Sequence, residues 1–455
     1  MNKKHQLIKG FSKQSKAAKL EWVANNYTPD ADATVEDMKG FWHSDEKLQK
    51  ILDGFSENTI SNYMMPYGIA PNFIINDKVY AIPMVIEESS VVAAAASAAK
   101  YWSDKGGFKA EILGTKKVGQ VHFSWKGDSE KLFQHFDKIK EVLHHDTEPI
   151  TRNMRKRGGG ILEMELLDFT DLEPNYYQIR VTFETCDSMG ANFINSVLEA
   201  FGQSLKIYVI ENDDFQEEEE ELTVIMAILS NYTPECVVRA SVECPLEAFN
   251  INGKDNSAFA KKFEKAVKIA RLDPYRATTH NKGIFNGIDA VVLATANDFR
   301  AIEACGHAYA ARDGQYRSLS QCEIKDGKFR FWLDIPLAVG TVGGLTSLHP
   351  LAKRTLEILG NPSAEELMQI IAVVGLAQNF AALRSLVTTG IQKGHMKMHL
   401  QNILNHLEAS EMEGEKVLKH FEDKTVSFTA VREFLQTLRN LVNSLVTTLQ
   451  PGRAT

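Results

Sequence analysis

The chain has 455 residues, of which 44% are hydrophobic and 24% charged, and its formal net charge is -8. This length exceeds what one hydrophobic core usually serves, so we expect two or three domains, and the composition excludes a disordered or coiled-coil protein. The acidic balance argues against nucleic acid or an anionic membrane surface as the main partner.

The N-terminus and the cysteines indicate the compartment. The first residues, MNKKHQLIKGF, are basic but are not followed by an apolar stretch long enough for a signal peptide. The most apolar windows, Val91–Ala99 and Ile370–Ala377, are shorter than the ~20 residues that cross a bilayer. The five cysteines include no CxxC pair, which fits neither a disulfide framework nor a zinc site. We therefore expect a soluble, cytoplasmic protein with reduced cysteines.

The first half of the chain predicts helices, a hairpin and then an α+β unit. Residues 12–60 carry apolar stripes at helical spacing, and a β-hairpin follows around the turn at Asn76 and Asp77. Ser89 and Ser90 precede an alanine-rich helix. From about Ala110, strands alternate with helices as far as ELTVIMAIL, which predicts a compact α+β domain inserted into a larger one.

The remainder predicts helices. The acidic run Glu217–Glu221 is expected to be a solvated loop. The chain then continues through helices and glycine-rich turns to Val374. After Gly390, the tail from His395 to Leu449 is predicted to be amphipathic helix with a polar break near Glu411–Gly414.

One segment is dense in polar side chains. Residues 273–301, DPYRATTHNKGIFNGIDAVVLATANDFRA, place an arginine, a lysine, a histidine and several Asn and Asp around three short predicted turns. Buried polar groups cost a few kcal/mol unless they are paired. The segment therefore predicts a convergent polar site.

This segment resembles the signature of hydroxymethylglutaryl-CoA reductases, and three other blocks resemble the same family in the same order. The blocks are ENTISNYMMPYGIAPNF with PMVIEESSVVAAAASAAK (57–73 and 83–100), DSMGANFIN (187–195) and VGLAQNFAALRSLVTTGIQKGHMKMH (374–399). In having no predicted membrane region, the chain resembles the soluble class II branch of this family.

The resemblance implies an α+β multidomain fold. It divides the chain into a large, mainly helical substrate domain (1–110 and 231–388), an inserted small α+β, ferredoxin-like, non-Rossmann cofactor domain (111–230) and a C-terminal helical flap (389–455). No GxGxxG follows a strand, in agreement with a non-Rossmann cofactor domain.

The resemblance also implies the reaction: four-electron reduction of 3-hydroxy-3-methylglutaryl-CoA (HMG-CoA) to mevalonate and CoA with two NADPH or NADH, in isoprenoid metabolism, without a metal. It implies a homodimer with a shared active site. Catabolic oxidation of mevalonate with NAD is an alternative, distinguished by cofactor preference. A catalytically silent protein that binds CoA esters is another, but it would lack a catalytic residue, and all four are present.

Four residues match the catalytic positions of the family. Glu88 is the implied proton donor, although at the start of a helix it could simply complement the helix dipole. Lys282 would stabilise the oxyanion. Asp298 would keep Lys282 protonated, or merely cap a helix. His395 would protonate the CoA thiolate, and we reject a metal site with His399 because no third ligand accompanies the pair.

The remaining implied positions hold the cofactor and the substrate. A glycine between strand and helix lets backbone N–H groups approach a pyrophosphate. The cofactor residues are Asp187, Met189, Gly190, Ala191, Asn192 and Arg152, the last in TRNMRKR, whose basic residues favour NADPH over NADH, although an exposed basic helix end is an alternative. The substrate residues are Ser90, Arg276, Thr279, Asn286, Gln378 and Asn379.

Overall fold

The computed structural model describes residues 7–250, 256–388, 400, 403–421, 424 and 426–448. Its helices, in chain order, are α1 (Lys16–Tyr27), α2 (Ala31–Gly40), α3 (Glu46–Asp53), α4 (Ser89–Ser103), α5 (Ser129–Asp146), α6 (Glu148–Arg155), α7 (Ala191–Glu211), α8 (Asn256–Leu272), α9 (Pro274–Ala294), α10 (Phe299–Ala310), α11 (Gly344–Leu348), α12 (Pro350–Ile358), α13 (Ala364–Val387), α14 (Glu411–His420) and α15 (Phe428–Thr448). Its strands are β1 (Tyr67–Ile75), β2 (Lys78–Val85), β3 (Lys109–Ile112), β4 (Lys117–Trp125), β5 (Gly160–Asp168), β6 (Tyr176–Glu184), β7 (Leu222–Ser230), β8 (Val237–Pro245), β9 (Ser320–Lys325) and β10 (Lys328–Pro336). The predicted α+β class is confirmed.

Helix α13 lies in the larger of the hydrophobic clusters. It is buried on nearly every side because apolar residues surround its axis. It crosses α9 where both helices have a glycine: a Cβ atom on Gly287 would lie 2.8 Å from the Val374 carbonyl oxygen, and one on Gly375 would lie 2.8 Å from Ile288. The two glycines therefore let these helices approach closely.

The same helix is long and apolar enough to cross a membrane by length and composition. An 18-residue window within it has a mean hydropathy of 1.7, but 78% of that window is buried inside the protein. In this structure α13 is a core helix.

A four-stranded sheet, in the order β3-β8-β10-β9, packs against α13 and α8. Buried apolar residues alternate with mostly charged residues along β8 and β10, so one face of the sheet is apolar and the other is mainly polar. The sequence analysis expected helices and turns here and missed β8, β9 and β10. The period-two pattern of KFRFWLDIP was the available signal.

A second four-stranded sheet has the order β5-β6-β4-β7, and its strands pair antiparallel. The chain order of strand, helices, two strands, helix and strand is that of ferredoxin-like proteins. Helices α5 and α7 supply apolar residues to a separate cluster with this sheet, between Val121 and Leu222. This unit therefore has its own core.

Two local predictions were wrong. The acidic run, expected as a loop, contains a short 3-10 helix, Glu217–Glu220, and Glu219 forms an ion pair with Lys131. The polar break expected at 411–414 is the first turn of α14, because Ser410 and Glu413 form a capping box. Helices α14 and α15 pack on residues near Leu404 to form a third apolar cluster.

Candidate active site

The first part of the site is the N-terminus of α4, where Glu88 is the N-cap residue. The Glu88 side chain does not bond to the helix backbone. Instead, Glu88 Oε1 accepts a hydrogen bond of 2.5 Å from Ser90 Oγ, and Glu88 Oε2 lies 3.8 Å from Lys282 Nζ on α9. The structure therefore brings three of the predicted site residues together. The side chains of Lys282 and Glu88 are 66% and 38% exposed, so a ligand can reach the pair.

Helix α9 carries the neighbouring substrate residues. The sequence analysis expected three short turns in this segment, but a single helix begins after the Asp273 cap. Arg276, Thr279, Lys282 and Asn286 lie on one side of it because they are three or four residues apart.

Arg276 carries a partly buried positive charge on this side of α9. Burial lowers the pKa of its guanidinium, and no hydrogen bond or ion pair joins the group to any residue in the described parts of the chain. A partly desolvated cation without an acid is suited to a carboxylate ligand.

Gln378 and Asn379 lie below the surface on α13. Gln378 packs against Gly287 of α9, and its Oε1 has no partner among the described residues. Asn379 is 2% exposed, and its Oδ1 accepts a hydrogen bond of 2.8 Å from Ser320 Oγ. The same hydroxyl lies 2.6 Å from His280 Nε2. The Asn379 side chain is thus hydrogen-bonded to another protein side chain, that of Ser320.

The loop between β6 and α7 holds the predicted cofactor residues. Gly190, the N-cap of α7, has a φ of 91°, and a Cβ there would lie 2.4 Å from Thr185 Cγ2, so only glycine fits. Ala191 begins α7 and Asn192 lies in its first turn. Asp187 holds the loop against α13, since its Oδ1 accepts a hydrogen bond of 2.8 Å from Ala364 N.

The basic end of α6 adjoins this loop. Arg152 is exposed on α6, and the carbonyl oxygen of Arg157 accepts a 3.3 Å hydrogen bond from Cys186 Sγ, next to Asp187. Arg155 is paired with Glu148 at 2.9 Å. The basic segment therefore lies beside the loop that holds the predicted cofactor residues.

Asp298 does not join Glu88 and Lys282 within one chain. Its carboxylate caps α10 through Arg300 N and Ala301 N, and pairs with the Arg300 side chain at 3.0 Å. Although burial acts in the opposite direction, these hydrogen bonds hold the pKa of Asp298 below its usual range. Because a helix rises about 1.5 Å per residue, roughly 18 Å of α9 separates Lys282 from Ala294, near which α10 begins.

His395, the fourth predicted catalytic residue, lies outside the described residues, as does His399. Among the residues that the structure describes, no group of three or more His, Cys, Asp or Glu side chains has the arrangement of a metal site.

The family model for hydroxymethylglutaryl-coenzyme A reductase matches residues 16–400. The chain belongs to this reductase family. It is 35% identical to the 3-hydroxy-3-methylglutaryl-coenzyme A reductase of Archaeoglobus fulgidus, over 95% of both chains. It is 34% identical to the probable reductase of Borreliella burgdorferi, over 88% of this chain and 90% of that one.

Solved structures of the reductase family agree. A reductase from Streptococcus pneumoniae has a TM-score of 0.69 and 34% identity, covering 94% of this chain and 99% of that one. A class II reductase from the same organism, bound to NADPH in open conformations, has a TM-score of 0.67 and 35% identity, covering 83% and 99%. The predicted function, HMG-CoA reduction, is therefore confirmed.

The sequence analysis missed a glycine-rich segment of this reductase, GTVGGLT at 340–346. A Cβ on Gly340 would lie 2.5 Å from the Met189 nitrogen, and Thr341 N donates to the Asp187 carbonyl oxygen at 2.8 Å. Asn297, next to Asp298, bonds both backbone groups of Gly340. The run of glycines after β10 was the signal that could have identified this contact with the cofactor loop.

The sequence analysis also missed a basic groove of about 630 Å³ between the C-terminal ends of α4 and α13. Lys100, Lys105 and Arg384 line it, together with Asp104, which pairs with Lys105 at 2.7 Å. Arg384 donates to Ser97 Oγ at 2.7 Å, and burial lowers its pKa. Lys100 is on α4, the helix that Glu88 caps, and Lys105 follows the end of that helix, which the sequence could have shown.

Proposed function

We propose that Glu88 and Lys282 form the reacting centre for HMG-CoA reduction. The observation that carries this proposal is their 3.8 Å contact at the start of α4, with Ser90 orienting the carboxylate. The Lys282 ammonium stabilises negative charge on the carbonyl oxygen of the thioester. Glu88 gives a proton to the oxygen that becomes the alcohol.

Arg276 would bind the carboxylate of the glutaryl group. Its guanidinium is partly desolvated and lies on the same side of α9 as Lys282, with Thr279 and Asn286 between or beside them. Gln378, which packs against Gly287, offers a buried oxygen. Asn379, bonded to Ser320, would position α13 instead of touching substrate.

NADPH is the proposed cofactor, and it supplies hydride when bound. The Asp187–Asn192 loop fits a pyrophosphate because the N-terminal end of α7 has no side-chain cap, which leaves its first N–H groups for the approach of an anion. Met189 and Ala191 would line that approach. Arg152 and its basic neighbours on α6 are suited to the 2′-phosphate.

The basic groove would hold the nucleotide phosphates of CoA. Ser97 lies nine residues after Glu88, which is roughly 13 Å along the helix, and an extended pantetheine arm can span that distance. Lys100, Lys105 and Arg384 supply the positive charge. Thr388 also lines the groove, seven residues before His395, which we propose as the acid for the departing thiolate.

A homodimer would complete the site. One subunit carries the Glu88–Lys282 pair, whereas Asp298 lies near the other end of α9, next to Asn297 and Gly340 at the cofactor loop. Because these two parts are separated within one chain, we propose that Asp298 reaches Lys282 from the partner subunit.

The separate hydrophobic clusters support the domain division expected from the sequence: 1–110 with 231–388, 111–230, and a flap at 389–455. We propose a cytoplasmic location.

The test follows nicotinamide absorbance with HMG-CoA and either NADPH or NADH. The wild type should oxidise about two NADPH per thioester, and Lys282→Ala should lower kcat by roughly 100-fold or more because the oxyanion loses its cation. Lys268→Ala, which removes an exposed lysine paired with Glu264, is the matched control and should retain activity. Full activity in Lys282→Ala would refute the assigned role.

A further inference from the structure

Lys117, the first residue of β4, is a buried lysine beneath the cofactor loop. It is 5% exposed. It lies on the same face of β4 as Gly119, where a Cβ would lie 2.4 Å from Leu198 and 2.9 Å from Ile194 of α7. Lys117 is two residues closer to the loop and lines a cavity with Met189 and Ala191. Its side chain therefore faces the N-terminal end of α7.

No acid forms an ion pair with this ammonium within the parts of the chain that the structure describes, and the nearby acids have other partners. Glu184 accepts hydrogen bonds from Cys186 N, at 2.8 Å, and from Thr115 Oγ1. Asp187 Oδ1 accepts from Ala364 N at 2.8 Å, and Glu235 pairs with Lys116 at 3.0 Å. No hydrogen bond or ion pair joins the Lys117 side chain to another described residue.

The position is unfavourable for an isolated cation. The N-terminus of a helix carries partial positive charge, which repels an ammonium, and burial without a counter-ion destabilises the charge further. The end of α7 also lacks a side-chain cap, so its first N–H groups have no side-chain acceptor. An anion bound at this point would satisfy the helix end and the lysine together.

We propose that Lys117 binds a phosphate oxygen of the dinucleotide pyrophosphate at the N-terminus of α7. The inference rests on the proposed cofactor site and adds a residue to it. Since NADPH and NADH share the pyrophosphate, Lys117 contributes to the affinity of both, whereas Arg152 distinguishes them.

The experiment measures dissociation constants of NADPH, NADH and ADP-ribose by calorimetry for the wild type, Lys117→Met and Lys117→Arg. Lys117→Met should weaken all three by about ten-fold, because a charge-assisted hydrogen bond is lost, and Lys117→Arg should recover most of the affinity. Lys116→Met is the control, because Lys116 is the exposed neighbour of Lys117 and pairs with Glu235; this substitution should change each constant less than about two-fold.

Thermal unfolding without ligand separates binding from a structural role. Lys117→Met should have a melting temperature equal to or above that of the wild type, because an uncompensated buried charge is gone. A lower melting temperature together with unchanged dinucleotide affinity would overturn the inference. If the wild type binds none of the three ligands, the proposed cofactor site is refuted as well. If the wild type binds them and Lys117→Met binds them equally well, only the proposed role of Lys117 is refuted.

Discussion

At the scale of single residues, Arg276 shows how one charge can select a ligand. Its guanidinium is partly withdrawn from water, without an acid partner in the described chain, on the helix that carries Lys282. A planar guanidinium binds both oxygens of a carboxylate, whereas an ammonium makes a single-point contact. The shape of the cation should therefore matter as much as its charge for binding the substrate carboxylate.

Replacing Arg276 with lysine tests this point. Arg276→Lys should raise the KM for HMG-CoA by about ten-fold and change kcat little, because a uniform binding contact is lost. Steady-state kinetics with saturating NADPH measure both constants. Arg271→Lys, at an exposed arginine bonded to Gln321, is the control. A fall in kcat at constant KM would contradict the binding role.

Glu88, Lys282 and Ser90 could be predicted as site residues from sequence motifs, because each lies in a local block that is recognisable without coordinates. The burial of Asn379 could not be predicted in this way. Its partner Ser320 lies on a strand far away in the chain, so the hydrogen bond exists only after the elements pack.

At the scale of elements, His280, Ser320 and Asn379 join α9, β9 and α13 through consecutive hydrogen bonds of 2.6 and 2.8 Å. His280 is almost fully buried, and burial, with a smaller contribution from Arg276, lowers the pKa of its imidazole to about 3. The ring is therefore neutral in the folded protein at the pH values where an unfolded histidine is charged.

This burial predicts how stability depends on pH. Between about pH 6.5 and 3 the unfolded chain binds one more proton at His280 than the folded chain does, so acid destabilises the fold. The contribution should reach about 1.4 kcal/mol per pH unit well below pH 6.5. Urea unfolding of wild type and His280→Gln between pH 7 and 4.5 measures it. The variant should have the shallower dependence.

Ser320→Ala is the matched variant, because it removes the hydrogen-bond partner and keeps the imidazole. It should lower the free energy of unfolding at pH 7 by about 1 kcal/mol and retain the wild-type pH slope. Equal slopes in wild type and His280→Gln would show that His280 does not titrate on unfolding.

The amphipathic helices and the hairpin could be predicted because their periodicity is local. Strands β8, β9 and β10 alternate in the same way but were missed, since they follow a helical segment and pair across long stretches of chain. The single helix α9 was mistaken for turns because its glycines and asparagines, which suit turns, serve here for close packing and for the site.

At the scale of the whole molecule, the separation of Asp298 from Lys282 predicts complementation between subunits. Glu88→Gln and Asp298→Asn should each be nearly inactive. Mixed dimers would carry one site with both substitutions and one intact site, so co-refolded equal amounts should recover about a quarter of wild-type activity. The measurement is NADPH oxidation before and after mixing.

The control pairs Glu88→Gln with Lys282→Ala. Because these residues contact each other in one chain, every site of a mixed dimer keeps one substitution, and mixing should restore nothing. No recovery with Asp298→Asn would place Asp298 in the same subunit as the pair, whereas recovery in the control would show that Glu88 and Lys282 of one site come from different subunits.

The burial of α13 also has a consequence for biosynthesis. Among the described elements, those that pack most extensively on it, including α4, β8 and α9, precede it in the chain. The most membrane-like segment therefore leaves the ribosome only after its binding surface has been made. Synthesis order shields it from the machinery that inserts apolar helices into bilayers. A chain released before residue 364 would instead leave apolar residues of these elements exposed, and we expect it to aggregate.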